Sequence, residues 1–159
     1  MRIRLAWLSV AAALLAACTG VSDTRITDVA DLPVKSPEVP SLEWKNSPLR
    51  ANAMYVFHDA NTNSQRKEMV GDYYYVNWDD AEPDKPVKLV MLYTQAGTGI
   101  DVKRREVSLP AGRERAASRQ TEFFFNGPER QRKGDIMSWR VELYVDGQLK
   151  DARQSYLWQ

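Results

Sequence analysis

The 159-residue sequence contains one cysteine, Cys18, and one histidine, His58. A single cysteine excludes an internal disulfide framework. One histidine without a spare thiol excludes the usual zinc ligand sets, and no Gly-x-Ser-x-Gly segment supports a catalytic role for His58. After residue 17, no apolar run approaches the roughly 20 residues that a membrane-spanning helix needs. These absences argue against disulfide-rich, zinc-dependent and multi-span membrane proteins.

The charge is nearly balanced, with 22 Lys and Arg against 21 Asp and Glu and a net charge of +1. Such a balance gives no overall field that would attract nucleic acid or an anionic membrane surface. The length allows one domain with one core. Apolar residues (43%) and aromatic residues (10%) are too frequent for a disordered chain. We therefore expect a single folded domain without nucleic acid, metal or cofactor.

An export signal is predicted over the first 17 residues. Arg2 and Arg4 supply positive charge, and an apolar stretch then runs from Leu5 to Ala16. The segment Leu15-Ala16-Ala17-Cys18 places small residues directly before the cysteine. It resembles the lipobox of bacterial lipoproteins, and the resemblance covers residues 1–19. An ordinary signal peptide or an N-terminal membrane anchor is the alternative.

The lipobox resemblance has consequences for Cys18. It implies that a dedicated peptidase cuts between Ala17 and Cys18, and that the Cys18 thiol carries diacylglycerol. Two or more acyl chains hold a protein stably on a membrane, because each buried CH₂ contributes about 0.8 kcal/mol. In the sorting rule of Gram-negative lipoproteins, Asp after the cysteine favours the inner membrane, so Thr19 implies the outer membrane. We expect an envelope protein anchored there, facing the periplasm or the cell surface.

Three segments are expected along the chain: a signal peptide over 1–17, a lipidated N-terminus and proline-rich tether over 18–50, and a β-sandwich domain over 51–159. The tether contains four of the eight prolines, namely Pro33, Pro37, Pro40 and Pro48. Proline fixes φ and restrains the preceding residue, so the tether is expected to be extended. At about 3.1 Å per residue, it would reach on the order of 90 Å.

From residue 52 the apolar pattern has the period of two that is typical of β-strands. It predicts a C-terminal hairpin preceded by five strands, over residues 52–58, 68–78, 87–95, 100–107 and 121–125. Apolar residues on both faces of 68–78 indicate a central strand. Charged residues from Lys103 to Glu106 indicate that 100–107 lies at a sheet edge, because natural sheets use charge against edge-to-edge aggregation.

Asp146-Gly147, between two alternating runs, is the strongest local signal for a β-hairpin in the chain. A two-residue turn predicts a register in which Arg140 opposes Arg153 and Glu142 opposes Asp151. Both are unfavourable like-charge pairs, and the diagonal pair of Glu142 with Arg153 relieves both. The same register places all four of these residues together on the polar face of the hairpin.

Six or seven short strands without a convincing long helix predict an all-β fold, a single antiparallel β-sandwich of about seven strands. The pattern over 52–159 resembles immunoglobulin-like and fibronectin type III-like modules, with central strands rich in Tyr and Trp and a long C-terminal hairpin. The immunoglobulin cysteine pair is absent from the sequence. A small eight-stranded barrel is the structural alternative.

Charge is unevenly distributed within the domain. Residues 72–84 contain five acids and no base, whereas residues 101–133 contain nine bases and five acids. Arg130, Arg132 and Lys133, in the predicted loop before the hairpin, form a candidate patch for an anionic polysaccharide or an envelope protein. Solvated loops that pair with the acidic turn are the simpler explanation.

No residue pattern nominates a catalytic group, so we expect a non-catalytic role in binding or scaffolding, as in an accessory subunit of an envelope assembly. A carbohydrate- or peptidoglycan-binding module is the first alternative, and it requires an exposed aromatic or basic groove. An enzyme is the second alternative, and it requires a pocket with convergent titratable groups.

Overall fold

The computed structural model describes residues 23–38, 48–112 and 120–159. The predicted signal peptide and Cys18 lie outside the described residues. Among the described residues are seven strands: β1 (Arg25–Val34), β2 (Gly71–Asp79), β3 (Val87–Gln95), β4 (Lys103–Leu109), β5 (Gln120–Asn126), β6 (Ile136–Val145) and β7 (Gln148–Gln154). Three short helices accompany them: α1 (Pro48–Val56), α2 (Asn63–Met69) and α3 (Gly127–Lys133).

The strands form two antiparallel sheets, which confirms the predicted all-β sandwich. Sheet A has the order β1-β2-β5, and sheet B has the order β4-β3-β6-β7. β2 is central in sheet A and β4 is at the edge of sheet B, as the sequence predicts. The core lies between the sheets and is filled by large apolar side chains from both, including Trp78, Phe125, Leu89, Met91 and Leu143.

Residues 25–34 form a strand, so the predicted tether over 18–50 is wrong for this part of the chain. β1 pairs with β2 from Arg25 opposite Asp79 to Val34 opposite Gly71. Ile26 is fully buried in the core. Pro33 is compatible with the strand because β1 lies at the edge of sheet A. Proline has no backbone N–H, and on an edge strand one side needs no hydrogen-bonding partner.

The predicted first strand over 52–58 is also wrong, because helix α1 occupies this region. Ala53, Val56, Phe57 and Ala60 recur at the helical spacing of three and four residues. All four are buried in a second apolar cluster with Tyr73 and other residues of sheet A that point away from the core. The helical period therefore outweighs the shorter alternation in the same residues.

Helix α2 replaces the start of the predicted second strand, which begins at Gly71 rather than at residue 68. Thr62 caps this helix, since its Oγ1 accepts a hydrogen bond from the Gln65 backbone N–H at 3.2 Å. In return, Gln65 Oε1 accepts from the Thr62 N–H at 2.9 Å. This capping box satisfies N–H groups that a helix start leaves unpaired.

The predicted hairpin turn is confirmed. Asp146 and Gly147 both have positive φ, 49° and 78°, as a type I′ turn requires. Tyr144 opposes Leu149 in the predicted register, but the next pair is Leu143 with Asp151. One residue of β7 is therefore extra, which is the signature of a β-bulge.

The bulge makes the predicted register wrong beyond Tyr144. Arg140 opposes Gln154 and Glu142 opposes Ala152, so neither like-charge pair forms. Asp151 and Arg153 turn instead toward β1. Asp151 Oδ2 accepts a hydrogen bond from the Ile26 N–H at 2.9 Å, and Arg153 Nη2 donates to the Ile26 carbonyl at 3.3 Å. These two side chains join the edge of sheet B to the edge of sheet A.

Candidate interaction surfaces

Arg130, Arg132 and Lys133 lie on helix α3, not in the predicted loop. The helix begins directly after β5, with Gly127 at a φ of 63° and Pro128 in the first turn. It lies at what we call the far end of the sandwich, where β1, β3 and β5 end and β2, β4 and β6 begin.

A network of charged side chains holds Arg130 at the far end. Asp72 has only 4% of its side chain exposed, and Arg130 has 12%. Asp72 Oδ2 accepts from Arg130 Nε at 2.7 Å and from the Ile136 N–H at 3.3 Å. Its Oδ1 accepts from Lys35 Nζ at 3.1 Å. Asp135 binds both cations, accepting from Lys35 Nζ at 2.7 Å and from an Arg130 guanidinium nitrogen.

We call the cluster of Asp72, Arg130, Lys35 and Asp135 the Asp72 network. Its close charges and partial burial shift the pKa values of several groups. The hydrogen bond from Lys35 holds the pKa of Asp135 below its usual value despite partial burial. Burial alone would lower the pKa of Lys35, but its hydrogen bond to Asp135 and the charge of Asp72 raise it overall. Burial, and next the charge of Asp31, raises the pKa of Tyr74. The network therefore favours an ionised Asp135 carboxylate, a protonated Lys35 ammonium group and a neutral Tyr74 phenol.

Lys133 is also engaged within the chain. Its Nζ lies 2.8 Å from Glu129 Oε1, one helical turn earlier. Glu129 Oε2 accepts from Arg105 Nη2 at 2.7 Å, and the Arg105 guanidinium lies 4.4 Å from the centre of the Phe125 ring. Hydrogen bonding from Lys133 lowers the pKa of Glu129. Arg105 also donates to the Phe124 carbonyl, so it joins β4 to β5 across the second edge of the sandwich.

The three basic residues of the candidate patch thus differ in their surroundings. Arg130 belongs to the Asp72 network, and Lys133 pairs with Glu129. Arg132 is exposed and makes no ion pair with any residue that the structure describes. A charged partner would therefore meet one unpaired cation on this helix rather than three.

A different surface, on the side of sheet A away from the core, is aromatic. Helix α1 covers its β1 side, and the β5 side is open. Phe124 is 37% exposed and Tyr55 is 57% exposed. The Tyr55 and Tyr75 rings meet at 5.6 Å and 81°, and Phe124 meets Tyr73 at 5.2 Å and 53°.

Tyr75 is the buried centre of the aromatic surface. Its ring also meets Phe124, at 6.1 Å and 62°. Burial, together with the neighbouring Tyr55 and Glu122, raises the pKa of Tyr75 to about 12. The phenol consequently stays neutral at physiological pH, and the Glu122 carboxylate lies near it.

The lone histidine lies at the exposed end of α1. His58 Nδ1 is 2.9 Å from the Tyr55 carbonyl oxygen, and Nε2 is 2.8 Å from Asp59. Within residues 23–38, 48–112 and 120–159, no three His, Cys, Asp or Glu side chains are grouped to hold a metal ion. In the same ranges, no helix is long and apolar enough to cross a bilayer.

Sequence reasoning missed the Asp72 network, although a signal for it exists. Asp72 follows Gly71 at the start of a strand whose next residues, Tyr73 to Val76, are all buried. A carboxylate inside such an apolar run requires a cationic partner. The identity of the partners could not be found by spacing, because Lys35 and Arg130 are distant from Asp72 in the chain.

Comparison with known proteins gives no match, since the sequence fits no protein-family model and resembles neither a curated protein nor a solved structure closely enough to match.

Proposed function

We propose that this chain is a lipid-anchored cell-envelope protein, held at the outer membrane through Cys18, whose immunoglobulin-like sandwich has a non-catalytic binding or scaffolding role. The lipobox-like segment at residues 15–18 supports the anchoring. Two antiparallel sheets of three and four strands, with connections that pass between them, support the comparison with immunoglobulin-like modules.

The position of β1 shortens the expected reach of the anchor. Arg25, the first residue of β1, lies seven residues after Cys18. A fully extended chain spans at most about 3.6 Å per residue, so seven residues reach about 25 Å. A lipid on Cys18 would hold the sandwich beside the bilayer, rather than at the end of a tether that reaches on the order of 90 Å.

The binding role is carried by one observation, the open half of the aromatic surface. Phe124 and Tyr55 leave apolar area exposed to solvent beside the buried Tyr75. Aromatic residues are enriched where proteins bind proteins, because they bury large areas with few rotatable bonds. The preferred partner is therefore a protein with an apolar surface of its own.

A carbohydrate-binding role is supported less well by the same surface. Sugars stack on flat, accessible ring faces, whereas the rings here meet at 53° to 81° and cover one another's faces. The basic patch supports a polyanion less well too, since Arg130 and Lys133 are paired with acids of this chain.

Lipid attachment is tested by Cys18→Ala in cells fed a labelled fatty acid. We expect loss of the label from the protein and loss of the protein from the membrane fraction. Ser22→Ala is the matched control and should retain both. Retention of label in Cys18→Ala would overturn the anchoring proposal.

Protein binding is tested with tagged full-length protein, captured from detergent-solubilised envelope and identified by mass spectrometry. A partner found in this way should lose about tenfold or more in affinity with Phe124→Ala or Tyr55→Ala, because truncated interface aromatics commonly cost that much. Leu149→Ala is the control, since Leu149 is equally exposed but lies on β7. Retention of peptidoglycan in place of a protein would favour the carbohydrate alternative.

A further inference from the structure

The outer face of sheet B, which points away from the core, carries four charges in two rows, and Lys88 on β3 lies two residues beyond them. Leu92 on β3 has Arg104 opposite it on β4 and Arg140 opposite it on β6. We call this line the arginine row. The glutamate row lies two residues along each strand, where Val90 has Glu106 and Glu142 opposite it. The rows run across the strands about 7 Å apart.

The β4 charges remain accessible although they pair with each other, whereas the side chains of Arg140 and Glu142 on β6 are 30% and 14% exposed. Arg104 lies 2.7 Å from Glu106, with side chains 56% and 47% exposed. Arg140 lies 2.8 Å from Glu142, and both are less exposed than the β4 pair. Solvated pairs of this kind exchange partners at little cost, because an exposed ion pair contributes little by itself.

We propose that two copies of this chain associate through the outer face of sheet B, related by a two-fold axis that runs across the strands between the two rows. This rotation reverses the strand direction and keeps each strand position. The arginine row of one copy then faces the glutamate row of the other, while Val90, at 2% exposure, adds no accessible surface to the contact. Both halves of the contact are satisfied at once, as an isologous interface requires.

The same axis is compatible with anchoring in one bilayer, a point that rests on the proposed function. β7 forms one edge of sheet B, and Asp151 and Arg153 attach it to Ile26 of β1. Because the axis runs along the line from β4 to β7, it leaves this edge on the same side in both copies. Both Cys18 lipids would therefore enter the same membrane.

The expected association is weak. Four strands at about 4.8 Å spacing, covered over about six residues, give roughly 400 Å² per copy. A total near 800 Å² is smaller than the roughly 1,000 Å² that a stable interface buries, so the association is transient. Charge pairing on an exposed face weakens with salt, since the Debye length falls to about 3 Å at 1 M. A charged outer sheet face that is simply solvated is the competing explanation.

The test uses the full-length lipidated chain, labelled with donor or acceptor dyes at the C-terminus and reconstituted in phosphatidylcholine vesicles. Energy transfer between copies should exceed the level of randomly mixed lipids and should fall as salt is added. Arg104→Glu leaves two acids on β4, and Glu106→Arg leaves two bases. Each variant alone should lose about tenfold or more of its self-association, because like charges meet across the axis.

Mixing the two variants is the decisive measurement. Arg104→Glu and Glu106→Arg complement each other, so an equimolar mixture should recover association to within about threefold of the unchanged protein. Arg132→Glu, an exposed charge change at the far end, is the control and should have no effect. Single variants that associate normally, or a mixture that does not recover, would overturn the proposal. Fatty-acid labelling of the same samples reports the anchor separately, so either proposal can fail alone.

Discussion

The Asp72 network and the outer face of sheet B are built from the same residue types but differ in solvent access. Asp72 and Arg130 have 4% and 12% of their side chains exposed, and four elements converge on them. Arg104 and Glu106 are half exposed and pair along one strand. Because Asp72 and Arg130 are buried, their ion pair stabilises the contact between elements of the fold. Arg104 and Glu106 remain available to a partner. A count of charges in the sequence treats the two alike.

The largest expected effect comes from removing the buried acid. Asp72→Ala leaves Arg130 Nε, Lys35 Nζ and the Ile136 N–H without this acceptor, and we expect the free energy of unfolding to fall by about 3–5 kcal/mol. Glu106→Ala on sheet B should change it by less than about 0.5 kcal/mol. Urea unfolding of the two variants measures both values. A similar loss of unfolding free energy in both variants would show that the buried and the exposed charges contribute equally to stability.

Two arginines of one helix sharpen the comparison further. In Arg130→Ala, Asp72 keeps only Lys35 and the Ile136 N–H, so we expect a loss of about 2–3 kcal/mol. Arg132→Ala removes the same side chain two residues later, where it is exposed, and should cost less than about 0.5 kcal/mol. Equal losses would mean that helix propensity, rather than the network, determines the effect.

Acid should destabilise both regions, and to a smaller extent than the variants above. The pKa of Asp135 is lowered chiefly by its hydrogen bond from Lys35. Burial opposes ionisation of Glu142, but hydrogen bonds from Tyr144 and Arg140 lower its pKa overall. The unfolded chain therefore takes up protons first as the pH falls. The stability that these groups contribute is present above the unfolded pKa and is lost through the lower folded pKa.

This pH dependence is measured by urea unfolding from about pH 6 down to about pH 2. Asp135→Asn and Glu142→Gln should each reduce the slope of stability against pH, because each removes one carboxylate with a lowered pKa. Arg132→Ala is a control, since Arg132 is exposed and pairs with no carboxylate that the structure describes. An unchanged slope in Asp135→Asn would contradict the role given to Lys35.

The sequence predicts those parts of the fold in which one local pattern dominates. β3, β5 and the Asp146-Gly147 hairpin follow from alternation and turn chemistry. α1 was predicted as a strand because Ala53, Tyr55 and Phe57 alternate, although burial follows the helical period. Pro33 and the acids of residues 25–34 favour a tether where β1 forms, and the partner of this strand, β2, lies far along the chain.

The candidate site was harder to predict because it depends on tertiary contacts. The residue types of Arg130, Arg132 and Lys133 are equivalent in the sequence, and only the approach of Asp72 and Glu129 separates them. The β-bulge in β7 moves Asp151 and Arg153 to a different face of the hairpin. No local rule places that extra residue, because the regular register also separates apolar from polar residues and its like-charge pairs are relieved by the diagonal pair of Glu142 with Arg153.

The smallest expected effect is the coupling within one ion pair of sheet B. In a double-mutant cycle, Arg104→Ala, Glu106→Ala and the double variant should give a coupling of about 0.2–1 kcal/mol, because both side chains are half exposed. The cycle is run at low protein concentration, where two copies do not associate, and repeated at high salt, where the coupling should shrink further. The pair formed by Arg130 and Asp72 gives the matching cycle in the buried region, and its coupling should resist salt because water and ions cannot reach it. A coupling above about 2 kcal/mol between Arg104 and Glu106 would mean that this ion pair stabilises the fold strongly. Breaking it to form ion pairs with a second copy would then be unfavourable.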